Sequence, residues 1–545
     1  MTAGLRPLCA VVVAATVLSA APASAQESPE LPPKGAQPEA PPPFFYKGKG
    51  PGRVNDYVAR FEEDYGYLRG TVGPGDTPKF IPFDADAQVY MTLNGEIRFR
   101  FDDTDHKNFA IATAATPSKA PGGVPVFTPA AATSTNQLYK QRYEIGADLH
   151  LGPYLRFYGE LYHGQQTGHD VGPVVPGNLR DDLGLVNGFG EVSDTTADTK
   201  TGLRAGRQEV FLGNSLQVRA NVSTNLPSPV FDGFRAYRDW GNFRLDAFAY
   251  NLVVFGNEVL QDKDNARTNL WGLYASYDLP VPPLVTADDH ISVDAFYLGW
   301  RSRAAANGPG SGVYDDRAFL NGSRLVAATG AGFVQSQDHR HTFGLRAYGG
   351  LGDVDYDWQA AYQAGSYAGF DVDAFAVNTD TGYTFHGWPW KPRIGAHIDT
   401  ASGGADKSGA VLHTYQPMYP NTQYYVPNNE FAPTNFYDLA PRVEVRPTEA
   451  IRAEVYYSFL WRWSQGDAIY TGAPWPGANG QNNYAATALA PGKVIGRQFD
   501  ARVLWAITPH VLTLAEAGIF YPGAAIRTTG GKTTTYLDFN LTLKF

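Results

Sequence analysis

The sequence predicts an all-β fold, a transmembrane antiparallel β-barrel of about 18 strands with short periplasmic turns and long extracellular loops. Three observations predict it. A secretory leader opens the chain, yet no later apolar run is long enough for a helix to cross a bilayer. Segment after segment alternates apolar and polar residues with period two. The connections between those segments alternate as well, short then long.

The leader comes first. Arg6 supplies a positive n-region, Leu8 to Leu18 an apolar core, and Ala23-Ser24-Ala25 a small-residue cleavage box. Residues 1–25 therefore read as a signal peptide and 26–53, with Pro41 to Pro43 and Gly48 to Gly52, as a Pro/Gly-rich periplasmic lead-in. Residues 54–89 form a short N-terminal periplasmic segment with room for one short helix or a plug, and 90–545 form the barrel. The sole cysteine, Cys9, lies in the leader, so the mature chain has no disulfide to lean on. With 44 basic against 54 acidic residues, a generally basic nucleic-acid binder is excluded. Aromatics make up 13% of the chain, which argues against wholesale disorder.

The last strand is the clearest. Phe545, Leu543, Leu541, Phe539 and Leu537 interleave with Lys544, Thr542, Asn540 and Asp538. One face is greasy and the other wet, and the terminal Phe resembles the recognition signal of bacterial outer-membrane barrels. Met91, Leu93, Ile97, Phe99 and Phe101 alternate in the same way with Thr92, Asn94, Glu96, Arg98 and Arg100. So do Ile451 to Trp463. No helical periodicity is long enough to cover such faces in water, and lipid is the simplest cover. Strand starts fall near 90, 138, 154, 184, 202, 231, 243, 267, 290, 338, 354, 370, 391, 436, 450, 495, 511 and 533. The strands near 184, 290 and 370 alternate poorly. The long connections all follow odd-numbered strands, which puts them on one rim and both termini at the other.

If the apolar faces meet lipid, the opposite faces line a lumen. Read this way, the lumen holds slightly more basic than acidic side chains although the whole chain is net negative. Nearly all the cations are arginine, whose flat fork matches carboxylate or phosphate. Rings of arginine in a channel favour anions. The plainer reading is that these arginines pair with lumenal acids across strands. Trp461, Trp463, Trp505, Tyr457 and Tyr521 fall on outward faces where interfacial girdles belong. Tyr419, Tyr424 and Tyr425 sit in a long loop, available either for stacking on sugar rings or for loop packing. The acidic stretches around Asp102 and Asp262 read as solvated loops. His339 and His341 share one strand face without a third ligand, and no metal or cofactor is assigned. A G-x-S-x-G elbow is absent, Gly365-Ser366-Tyr367-Ala368-Gly369 having the wrong spacing, so an outer-membrane hydrolase is the remote alternative and no enzyme is expected.

Several segments resemble the alginate export family of outer-membrane barrels. They are Glu63-Asp64-Tyr65-Gly66-Tyr67-Leu68-Arg69, Leu93-Asn94-Gly95-Glu96-Ile97-Arg98, Arg204-Ala205-Gly206-Arg207-Gln208-Glu209 and Phe231-Asp232-Gly233-Phe234-Arg235, followed by His339 to Arg346, Pro392 to Gly395, Asp399 to Gly403 and Pro417 to Pro420. Their order runs through the chain from about residue 62 to the end. The resemblance implies an 18-stranded barrel in the outer membrane, monomeric, with an Arg-rich constriction that passes an anionic uronate polysaccharide such as alginate. By motif the constriction falls first on Arg207, Glu209, Arg235 and Arg98, then on Arg219, Arg346 and Arg393. Arg100, Arg142, Arg452 and Arg462 join them as lumenal arginines by strand phase. Arg207 and Glu209 are out of phase with Arg204, so a bulge or strand end is required there. The expected function is an outer-membrane channel for passive diffusion or export of anionic solutes. The alternative is an uptake porin for organic acids, phosphate or sugars. Expected partners are outer-membrane lipid and lipopolysaccharide, the polysaccharide or small anions as cargo, and a periplasmic feeding partner as a further candidate. No nucleic acid is among them.

Overall fold

The computed structural model describes residues 60–545 apart from 64, 71–76, 107–108, 110–116, 120–124, 128–134, 169–179, 197–198, 220–228, 257, 281–288, 304–336, 368–369, 405–409, 421–423, 426–430, 432, 468, 472–484, 488–491 and 529. The signal-peptide and lead-in expectations lie outside the described residues.

Eighteen antiparallel strands close into one barrel. The first six are β1 (Val89–Asp105), β2 (Thr135–Leu151), β3 (Leu155–Gly168), β4 (Arg180–Thr196), β5 (Thr199–Glu209) and β6 (Val230–Trp240). Next come β7 (Phe243–Val254), β8 (Lys263–Leu279), β9 (His290–Arg303), β10 (Gln337–Leu351), β11 (Val354–Tyr367) and β12 (Phe370–Thr384). The ring is completed by β13 (Arg393–Ala401), β14 (Phe436–Thr448), β15 (Ile451–Arg462), β16 (Val494–Thr508), β17 (Val511–Pro522) and β18 (Thr534–Lys544). Every start lies within four residues of its sequence expectation. Each strand pairs with the next, and β18 pairs back onto β1, with Leu543 opposite Ile97 and Phe539 opposite Phe101. Closure leaves no edge unpaired, which lipid requires.

Burial is inverted relative to a water-soluble protein. Leu345, Phe234 and Ile145 are 66%, 60% and 58% exposed on the outer face. Arg346 and Arg142, on the inner face, are 3% and 2% exposed. Neighbours in sequence thus point to opposite media, as a period of two demands. Tyr154, Trp240, Trp388, Trp390 and Trp505 are exposed near the rim of short turns, while Tyr139, Trp463 and Tyr521 are exposed toward the other. These are the two interfacial girdles. Among the described residues no helix is long and apolar enough to cross a membrane.

The carboxyl end is locked into the seam. Phe545 exchanges backbone hydrogen bonds with Gly95 at 3.2 and 3.4 Å, and Lys79 Nζ donates to the Phe545 carbonyl at 2.8 Å. A Cβ at residue 95 would lie 2.4 Å from the terminal ring, so only glycine lets that ring lie flat.

The acidic stretches differ from their expectation as solvated loops. Strand β1 runs on through Asp105, and the Asp102 carboxylate pairs with Arg100 and Lys140. Asp262 is nearly buried, accepting from the Gly256 and Leu185 N–H groups at 3.1 and 3.3 Å. Burial pushes its carboxyl up from the ordinary aspartate range.

Candidate functional site: the lumen

The lumen is built from alternate residues of every strand, and two further segments enter it. On the β1–β4 side comes the N-terminal segment. The 3-10 turn Arg60–Glu62 places the Arg60 guanidinium, about 5% exposed, among three glutamates. It pairs with Glu96 at 3.1 Å, with Glu144 at 2.5 Å and with Glu160. Asn187 Nδ2 then donates to Glu160 at 2.8 Å and to Glu209 at 3.0 Å, joining a fourth carboxylate to the group. Beside it Phe61 fits edge-on between Tyr158 and Phe189, and Arg204 stacks on the Phe189 ring at 4.3 Å.

The second insertion spans the upper bore. The connection between β13 and β14 reaches the one between β5 and β6, nearly diametrically opposite in the ring. Tyr419 forms a parallel bridge with Val218, and its N–H donates to the Gln217 carbonyl at 2.9 Å. Tyr415 Oη donates to Gln217 Oε1 at 2.5 Å, and Trp300 Nε1 donates to Tyr419 Oη at 3.2 Å. Around them lies one apolar cluster that includes Leu216, Phe231, Phe296, Leu298, Trp300 and Met418. Tyr419 and Tyr425 are 1% and 3% exposed, so these loop tyrosines serve packing, and the sugar-stacking expectation does not hold for them.

Between the insertions the wall is a mosaic of ion pairs. Arg142 meets Glu96 at 2.7 Å and Glu144 at 3.2 Å. Arg100 meets Asp538 at 2.8 Å as well as Asp102. Arg235 and Arg244 share Asp246, each at 2.8 Å. Arg346 binds Asp357 at 2.7 Å and Asp294 at 3.1 Å, while Arg393 binds Asp355 at 2.6 Å and Asp380 at 2.9 Å. Arg98 is half-buried on the lumenal face of β1, directly opposite Arg142. Arg452 is half-buried on β15, in the same phase as Glu454. Asp294, Asp380 and Asp538 are among the acids that face these arginines.

The remaining candidates lie elsewhere. Arg462 is fully buried where β15 ends, and its guanidinium donates to the carbonyls of Gly492 and Asp467 at 3.0 Å, holding the connection to β16. Arg207 sits on the opposite strand face from Arg204. It pairs with Asp232, its register partner on β6, at 2.8 Å and with Asp262 at 3.3 Å, clamping the connection between β7 and β8 onto the wall. Glu209 is the last residue of β5, where the Asn187 side chain takes its N–H at 2.9 Å and the carboxylate turns inward. This is the strand end that the broken phase required. Gly206 precedes it at φ +130°, where a Cβ would meet the Gly188 carbonyl at 2.3 Å. Arg219 lies on the short strand Val218–Arg219, and its side chain is outside the described residues. His339 and His341 lie with tilted rings 4.7 Å apart beside Trp271 on the outer face, which is girdle chemistry. Ser366 is the register partner of His339 on one side and of Asp371 on the other. That order puts serine in the middle, where a Ser–His–Asp relay needs histidine.

Sequence reasoning missed Arg60, in the segment given room for one short helix or a plug, and the grouping of His397 and Asp438 with Asp399. The last three share the lumenal face of β13 and β14, with Asp399 and Asp438 directly opposite.

Residues 126–540 match the family described as alginate export. No curated protein matches the chain. Among solved structures, that of Pseudomonas aeruginosa OccK9 (OpdG) aligns at a TM-score of 0.50 and 12% identity, covering 84% of this chain and 98% of its own. Pseudomonas aeruginosa OpdK with vanillate gives 0.48 and 9%, covering 83% and 98%. At such identities the likeness concerns the barrel alone.

Proposed function

The chain belongs to the alginate export family of outer-membrane channels, and on that premise we propose that it passes anionic solutes, with an acidic uronate polysaccharide as the polymer class. Family and fold are those of a channel in the outer membrane rather than of an enzyme. One observation supports the anion preference. On the inner face of β1 and β2, Arg98 stands directly opposite Arg142, and Arg100 directly opposite Lys140. Like charges opposite one another destabilise a sheet. Acids hold this block together, Asp102 and Asp538 at Arg100, Asp102 at Lys140, Glu96 and Glu144 at Arg142, and a passing carboxylate can exchange with them at the same guanidinium forks. Planar-bilayer recordings of the full mature chain under a KCl gradient test this reading. We expect a zero-current potential of anion sign, shifted toward zero in an Arg98→Ser, Arg100→Ser double variant. A potential of cation sign in the unaltered protein would overturn it.

A second reading, uptake of small organic acids, phosphate or sugars, is favoured by the inserted β13–β14 connection. Crossing the bore with buried Tyr415 and Tyr419, it favours small solutes over a polymer. Liposome swelling separates the two: uronate monomers entering while oligomers stay out favours uptake, and entry of both favours export.

A further inference from the structure

We propose that the lumen carries a binding site for a first-row divalent cation of the Zn2+ class, formed by His397, Asp399 and Asp438 beneath the inserted β13–β14 connection. The donor set is one imidazole and two carboxylates, and one atom from each residue lies within 4.8 Å of the others. All three side chains are almost fully buried, at 2%, 1% and 1% exposure.

The hydrogen bonds around the triad show which atoms are committed. Asp399 Oδ1 accepts from the Thr379 N–H at 3.0 Å and from Asn378 Nδ2 at 3.3 Å. Asp438 Oδ1 accepts from the Asp399 N–H at 2.9 Å. Both Oδ2 atoms are left pointing at one nitrogen, His397 Nδ1, at 2.7 Å from Asp399 and 3.4 Å from Asp438. One N–H serves one of them. Asp438 Oδ2 consequently has no hydrogen bond although it is out of contact with water, and a buried unsatisfied carboxylate oxygen is expensive. The two aspartates are also cross-strand neighbours of like charge, which a sheet tolerates poorly without a cation between them.

A divalent cation resolves both costs. Tetrahedral ligands at about 2.0–2.2 Å from zinc stand roughly 3.4 Å apart. The Nδ1 to Asp438 Oδ2 spacing, 3.4 Å, already has that value, the 2.7 Å Asp399 contact opens by about 0.7 Å, and the remaining pair, within 4.8 Å, adjusts around the ion. Three protein ligands leave a fourth position for water or a solute carboxylate beneath the inserted β13–β14 connection. Tyr424 covers the imidazole with ring centroids 4.9 Å apart, and Tyr425 Oη accepts from Asn378 Nδ2 at 2.7 Å. The inserted connection thus roofs the site. Nitrogen with carboxylate suits zinc-class ions better than calcium or magnesium, which prefer all-oxygen sites.

The test is calorimetric titration of the refolded full mature chain in detergent with ZnCl2. His397→Gln and Asp438→Asn are run alongside, with heat-modifiable gel mobility confirming the barrel in each. One Zn2+ per chain is expected, weakened at least tenfold in both variants. Binding should release a proton, read as a dependence of the heat on buffer ionisation, and should weaken as the pH is lowered. No saturable binding by the folded wild type, or binding unchanged in both variants, would overturn the site. Should Asp438→Asn not fold, Asp399→Asn serves in its place.

Discussion

On the β1–β4 side the lumen admits its own N-terminal segment by a guanidinium, whereas from the opposite rim it admits a loop by aromatic rings. The Arg60 site is three carboxylates around one fork. The Tyr419 site is a ring set edge-on to Phe231 at 5.2 Å, its hydroxyl accepting from Trp300 Nε1. The physics of release differs accordingly. An ionic anchor in a buried site is all or nothing, because removing one partner strands the rest. An aromatic anchor weakens by degrees, since neighbouring side chains collapse partway into the space left. The N-terminal insertion therefore behaves as a latch, and the loop insertion as a packed stopper.

The largest effect is expected from Arg60→Ala. It leaves Glu96, Glu144 and Glu160 without their shared cation, at a cost of about 3–5 kcal/mol to the inserted state. Single-channel conductance should rise several-fold, with a swing toward cation preference as the glutamates face the open bore. Arg60→Lys keeps the charge but loses the fork, and should fall between. If Arg60→Ala and wild type conduct alike, the segment is no latch. Tyr419→Ala comes next, at about 3 kcal/mol of lost packing. It should admit larger solutes in liposome swelling while leaving ion preference unchanged, and a changed preference would blur the distinction between the two insertions.

The same contrast explains how far the sequence could be read. Where the lumen holds water and ion pairs, strands alternate cleanly: β1, β2, β15 and β18 are legible from period two alone. Alternation fails near 290 and 370 because Phe296, Leu298 and Trp300 on β9, and Val372, Ala374 and Ala376 on β12, point inward against the loop insertion. Their inner faces are as apolar as their outer ones. Near 184 it fails because β3 and β4 slip register after Glu160 and again after Tyr162. The Arg60 site was illegible for another reason. Its glutamates come from three strands and its arginine from a segment outside the barrel, so nothing in local spacing joins them. Asp399 reads as an ordinary inward acid, and only the pairing of β13 with β14 sets Asp438 opposite it.

The smallest effect on conduction is expected at Arg207, the residue that motif placed first in the constriction. Its guanidinium lies on the other side of β5 from Arg204 and is spent on Asp232 and Asp262. Arg207→Ala should therefore leave conductance and ion preference within error of wild type. Its loss should instead free the β7–β8 connection, whose Leu260 N–H bonds the Leu183 carbonyl at 2.7 Å. Limited proteolysis between residues 255 and 262 reads that release directly. Faster cleavage with unchanged reversal potential marks a clamp in the wall, whereas a reversal potential moved toward the cation side would return Arg207 to the pore.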